Sequence, residues 1–177
     1  PRARLVIWPE DAEAGRGQDR LRVESGFVTA GRLVDRSPVL GKGLLPLFAR
    51  KAGPYALYET VDLVGETGVK QRVDPLGLIA SSLRGPSRDD AVERVLGQLG
   101  GVALRFKGGA IEPKRLGLLP KEERFLDVIR ASPATAEDLV RQCELGEAFG
   151  KRLVYLFVLL KALEPYEATR PSMPVPA

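Results

Sequence analysis

Eight successive apolar residues, Leu153-Val154-Tyr155-Leu156-Phe157-Val158-Leu159-Leu160, constrain this chain more than any other segment. The run is far short of the ~20 residues that cross a bilayer. The spacing predicts a helix from about residue 147 to residue 164, stopped by Pro165 and apolar on every side. A helix of that kind has to be covered on more than one face. Leu153, Leu156, Phe157 and Leu160 form one face, suited to a helical unit of their own. Tyr155, Val158 and Leu159, with Val154, form a second face. It needs cover from the rest of the chain or from another protein, a second copy included. These three are the candidate interface or inter-domain packing residues.

The segments before this helix supply the rest of the layout. Phe125, Leu126, Val128 and Ile129 follow Leu118-Leu119-Pro120 at helical spacing, and Thr135 with Asp138 marks the N-terminus of the next helix. Residues 113–166 therefore read as three helices with winged-helix-like spacing. Upstream, residues 4–8 read as a strand. Residues 20–24 and 27–34 form a hairpin around Ser25-Gly26, with Gly26 in the left-handed region. Residues 55–64 read as a third strand and 69–73 as a weak further one. Leu44, Leu47 and Phe48 give a short helix with Pro46 in its first turn, and Asp74 caps a helix opened by Pro75. Ser87 caps another, with Ala91, Val92, Val95, Leu96 and Leu99 inward, and residues 102–106 read as a strand. The expected fold class is α+β. A small antiparallel sheet with short helices spans 1–112, a winged-helix-like three-helix unit spans 113–166, and 167–177 is a Pro-rich linker or tail.

Composition removes whole classes of chemistry. The 177 residues include no His and one Cys, Cys143. His-based catalysis, His-ligated metal, an internal disulfide and a cysteine-built zinc site are thereby excluded. A lone thiol fits a reducing, cytoplasmic setting. The opening Pro1-Arg2-Ala3-Arg4 has neither Met nor a signal-peptide core and reads as a piece cut from a longer protein. Gly41-Lys42-Gly43 lacks the spacing of a phosphate loop and reads as the lead into a helix. Asp89-Asp90 and Glu122-Glu123 sit in helix first turns, where the dipole favours them, rather than at a metal or acid/base site. Trp8, Tyr55 and Tyr58 read as core or rim aromatics. No catalytic, cofactor-binding or metal-binding residue emerges, and the chain is expected to be non-enzymatic.

The winged-helix-like spacing raises one alternative, a DNA-binding regulator with Lys151 and Arg152 as the nucleic-acid contacts. Charge argues against it. The net charge of the chain is only +4, and over residues 114–164 acidic and basic residues nearly cancel, where a phosphate-binding surface shows an excess.

Three runs of residues carry a family resemblance: Glu24-Ser25-Gly26-Phe27-Val28, then Leu44-Leu45-Pro46-Leu47-Phe48, then Gly53-Pro54-Tyr55-Ala56-Leu57-Tyr58. Their order resembles the later part of PATAN-type domains of bacterial, notably myxobacterial, response-regulator and multidomain signalling proteins. Residues 74–84, 116–123 and 152–156 look like the helical region that often follows such a domain. The similarity spans roughly residues 21–166. It departs at the front, where the family has a helix and this chain has the strand of residues 4–8. The resemblance implies a protein–protein interaction role in signalling, with protein partners or self-association, and transfers no catalytic residue.

Overall fold

A computed structural model describes residues 2–8, 17–49, 53–59, 61–84, 89–109 and 111–166. The chain is α+β and divides into two compact units, 1–88 with 113–117 and 89–112 with 118–177. The division falls at 88/89 rather than at 112/113, and residues 113–117 return to the first unit. Ser87 and the tail 167–177 lie outside the described residues.

The first unit is built on a five-stranded antiparallel sheet in the order β4-β1-β2-β3-β5. The strands are β1 (Arg2–Ile7), β2 (Asp19–Glu24), β3 (Phe27–Arg32), β4 (Tyr55–Tyr58) and β5 (Val69–Val73). The β2–β3 turn has Ser25 at φ 50° and Gly26 at φ 79°, the pair of positive angles that a two-residue hairpin of right-handed twist requires. Helix α1 (Leu40–Ala49) packs on one face, burying Leu40 and Leu44 against Leu21, Val28 and Leu33. Its close approach depends on two glycines. A Cβ on Gly31 would collide with Leu40, and one on Gly43 would sit 2.5 Å from Leu33.

Two expectations for this unit change. Helix α1 begins at Leu40, so Pro46 lies in its interior and not in its first turn. The early start is supported from outside the helix, because the Leu40 N–H donates to the Gln71 side-chain oxygen of β5 (2.8 Å). The third strand ends at Tyr58, not residue 64. Arg22 donates to Asp62 (2.7 Å) and Arg20 to the Leu63 carbonyl (3.3 Å), and Val64 is buried. These contacts draw residues 62–64 out of strand register. Helix α2 (Pro75–Leu83) starts where the sequence puts it, with the Asp74 carboxylate accepting from Leu76 N–H. Residues 113–117 close the unit, with a 3₁₀ turn at Pro113–Leu116 and Leu116 buried. Arg115 donates twice to Asp74 (2.8 and 3.2 Å) and lies over the Phe27 ring.

The second unit comprises α3 (Asp89–Leu99), β6 (Ala103–Phe106), α4 (Pro120–Ala131), β7 (Ala134–Thr135), α5 (Ala136–Arg141), α6 (Glu147–Leu159) and β8 (Leu163–Pro165). Its three-stranded antiparallel sheet has the order β7-β6-β8. Thr135 caps α5, its hydroxyl accepting from Asp138 N–H (3.1 Å). Glu122 is buried at the start of α4 and accepts from Leu119 N–H (2.8 Å). Helix α6 stops earlier than expected. Lys161 adopts φ 55°, the Ala162 N–H donates to the Phe157 carbonyl (2.8 Å) and the Lys161 N–H to Val158 (3.0 Å). That pair of bonds ends a helix on a left-handed residue. Leu163 then pairs with Phe106 as strand rather than extending the helix to residue 164.

Candidate functional site

The apolar helix meets its cover inside the second unit. Leu153, Val154, Tyr155, Leu156 and Phe157 are all buried, and α6 packs against α3, α5 and β8. Phe157 also meets Phe106 of β6 edge to face, with ring centres 6.4 Å apart. Of the candidate interface residues, Tyr155 is buried, Val158 is half-buried and Leu159 is exposed. Helix α3 and strand β6, placed by the sequence in residues 1–112, are part of the unit that encloses α6.

Contact of α3 with α6 also sets the environment of the two candidate nucleic-acid contacts. Helix α3 opens with Asp89, and Glu93 lies one turn on, hence on the same face. Arg152 donates from Nε and Nη2 to the two oxygens of Asp89 (2.8 and 2.9 Å), a fork-on-carboxylate pair. Lys151 Nζ reaches Glu93 (2.8 Å) and Glu147 (2.9 Å). Hydrogen bonding to Arg152 holds the Asp89 carboxyl below the usual carboxylate range. The Glu93 and Glu147 carboxylates push the Lys151 ammonium well above the ordinary lysine range. Both cations are thus committed within the unit. The sequence signal was Asp89 and Glu93 at i, i+4, but pairing them with residues some 60 positions away needed the tertiary fold.

Beside these pairs, α3 and the α5–α6 corner enclose a groove of about 650 Å³, with Leu96, Val140 and Cys143 among its lining residues and Glu93, Glu147 and Lys151 beside them. The Cys143 thiol is buried, and that burial raises its pKa. It is therefore a poor nucleophile. Gly150 allows α6 to approach it: a Cβ there would lie 2.9 Å from Cys143 Cβ. Gly41 and Gly43 lie in the first turn of α1. Among the described residues no group of three or more His, Cys, Asp or Glu could hold a metal ion. No helix among them is long and apolar enough to cross a membrane.

The edges of the first sheet differ from one another. At β5 the exposed residues are Lys70, Gln71 and Arg72, and such charges guard an edge against pairing. At β4 the strand is Tyr-Ala-Leu-Tyr, without a charge, and Tyr55 and Leu57 are 70% and 63% exposed. Both pair with apolar β1 residues, Tyr55 with Ile7 and Leu57 with Leu5. They extend that apolar row outward. The sequence left Tyr55 and Tyr58 as core or rim aromatics and did not mark the strand as an edge, because strand order is not encoded locally.

Comparison with known proteins finds no family model, no curated protein and no solved structure that matches this chain.

Proposed function

We propose that this chain is a non-catalytic protein–protein interaction or scaffold region of a bacterial signalling protein. The observation that carries the reading is the uncharged β4 strand, an edge of the sheet among the described residues, with Tyr55 and Leu57 exposed on it. An edge of this kind accepts an added strand from a partner, with main-chain hydrogen bonds for affinity and alternate side chains for selection. The resemblance of residues 21–166 to PATAN-type regions and the helices that follow them points the same way.

The DNA-binding alternative has one feature in its favour. The order helix, short strand, helix, helix, strand from α4 to β8 is that of a winged-helix unit with α6 as the reading helix. Against it, Lys151 and Arg152 are engaged by α3 carboxylates and are not offered to phosphate.

Selection of a random peptide library on the whole chain tests the reading. Extended, apolar peptides should be enriched, and Leu57→Lys should abolish their binding while Arg152→Ala leaves it intact. A mobility-shift assay at physiological salt should show no discrete DNA complex below about micromolar protein. A sequence-specific complex strengthened by Asp89→Asn plus Glu93→Gln, and lost on Lys151→Ala plus Arg152→Ala, would transfer the assignment to DNA binding.

A further inference from the structure

The face of the first sheet opposite the α1 core carries two rows of opposed arginines. Arg4 stands directly across from Arg22, and Arg20 directly across from Arg32. Like charges in directly opposed positions destabilise a sheet. The first pair is relieved by a carboxylate, for Asp62 lies 2.7 Å from Arg22 and 3.9 Å from Arg4. Among the described residues the second pair has no such counter-ion. There Arg20 donates to neutral acceptors, the Gln18 side-chain oxygen (3.2 and 3.3 Å) and the Leu63 carbonyl (3.3 Å). Arg32 is exposed and has no ion pair among the described residues.

These two arginines line a cleft of about 310 Å³, and a third, Arg36, joins them from the turn after β3. Arg36 sits at φ 52°, an uncommon angle for a residue with a side chain, with its N–H donating to the Leu33 carbonyl. No carboxylate lines the cleft among the described residues. Two acids adjoin the cleft residues in sequence: Asp19 is buried and accepts from the Val34 N–H (2.9 Å), and Asp35 accepts from the Ser37 N–H (3.0 Å).

We infer that this cleft, formed by Arg20, Arg32 and Arg36, binds a compact phosphorylated solute. Three guanidiniums overcompensate a single carboxylate but match the two or more charges of a phosphate or diphosphate, whose oxygens accept the arginine fork in pairs. The volume is at the small end for a ligand site. Among the described residues no aromatic ring lines it, so they offer nothing on which a nucleobase would stack. The bound anion supplies the counter-charge that the Arg20–Arg32 pair lacks and that Asp62 supplies to the neighbouring pair.

Calorimetric titration of the whole chain with inorganic pyrophosphate tests this. Arg20 is part of the sheet, so the informative variant is Arg32→Ala plus Arg36→Ala, at two exposed positions. It should keep its circular dichroism spectrum and weaken binding by about tenfold or more. Lys121→Ala plus Arg124→Ala removes the same two charges from exposed positions on α4 and should change affinity less than about twofold. Arg32→Lys, which keeps the charge but loses the fork, should fall between them. The inference is overturned if pyrophosphate fails to bind up to about 10 mM, or if the α4 variant weakens binding as much as the cleft variant. Binding to phosphatidylcholine vesicles doped with phosphatidic acid, without binding to pyrophosphate, would also overturn it.

Discussion

Replacing Gly150 and Gly97 by alanine, one at a time, should move stability in opposite directions although both residues lie within helices. The intrinsic helix preference favours alanine at each site by up to about 1 kcal/mol. At Gly97 of α3 a new Cβ meets nothing within 4 Å, so that gain stands unopposed. At Gly150 of α6 the Cβ arrives 2.9 Å from Cys143 Cβ and 3.2 Å from its Sγ. The first of those atoms is fixed to backbone and cannot rotate away. Overpacking of this kind costs about 1–3 kcal/mol, which exceeds the helix gain over most of its range. For a unit of this size each kcal/mol shifts the melting temperature by about 4–8 °C. Gly97→Ala should therefore raise the transition of the second unit by about 4–8 °C, and Gly150→Ala should lower it by a similar amount. Trp8, the only tryptophan, lies in the first unit. A transition followed by far-ultraviolet circular dichroism but silent in tryptophan fluorescence consequently belongs to the second. Adding Cys143→Ala to Gly150→Ala removes the sulfur but not the Cβ and should recover only part of the loss. If Gly150→Ala stabilises as much as Gly97→Ala, the close approach of α6 to Cys143 is refuted.

Three further outcomes can be measured, two in the second unit and one in the first. Phe157→Ala should destabilise the second unit by about 3–5 kcal/mol, since the ring is only 1% exposed; a loss under about 1 kcal/mol in chemical denaturation would contradict the enclosure of α6. Lys161→Gly should stabilise the unit by about 1 kcal/mol, because glycine adopts the left-handed angle at the end of α6 without strain; an unchanged or lowered melting temperature would argue against that helix terminus. Asp74→Asn keeps a side-chain acceptor for the α2 cap but removes the charge facing Arg115, which holds the Asp74 carboxyl below the usual carboxylate range. A lowered folded-state value means that the stabilisation is present at neutral pH and fades as pH drops through the carboxylate range. The variant should be less stable than the parent by about 1 kcal/mol at pH 7, with the gap closing as pH falls below the ordinary aspartate range, and a gap independent of pH would rule out the ionic origin.

What could be read in advance was local chemistry. Ser25-Gly26, Asp74-Pro75 and Thr135 each specify a turn or a cap through one or two bonds to near neighbours, and each stands where the sequence puts it. The end of α6 could not be read in this way. Apolar periodicity continues through Ala162 and Leu163, whereas the chain leaves the helix at the left-handed Lys161 and Leu163 pairs with Phe106 as strand. The allegiance of α3 was hidden for a similar reason. Its inward residues Val92 and Leu96 suit either unit, and the choice is fixed by Asp89 and Glu93 meeting Arg152 and Lys151 far along the chain. The arginine cleft escaped notice because Arg20, Arg32 and Arg36 look like ordinary surface charge until hairpin register sets two of them opposite each other.

The return of residues 113–117 to the first unit bears on how the chain is made. Its sheet and both of its helices are complete once residue 83 has been synthesised. Yet Asp74 still lacks Arg115, and the carbonyl that receives Arg84 Nη2 belongs to Gly117 (2.8 Å). A ribosome adding about 5–20 residues per second supplies that last piece only a second or more later. By then α3 and β6 have emerged, well ahead of the α6 that will bury them. A nascent chain halted between residues 99 and 112 therefore holds a sheet without its clasp and an acidic helix without its basic partner. Cutting the gene at the 88/89 boundary would leave the sheet permanently without that clasp.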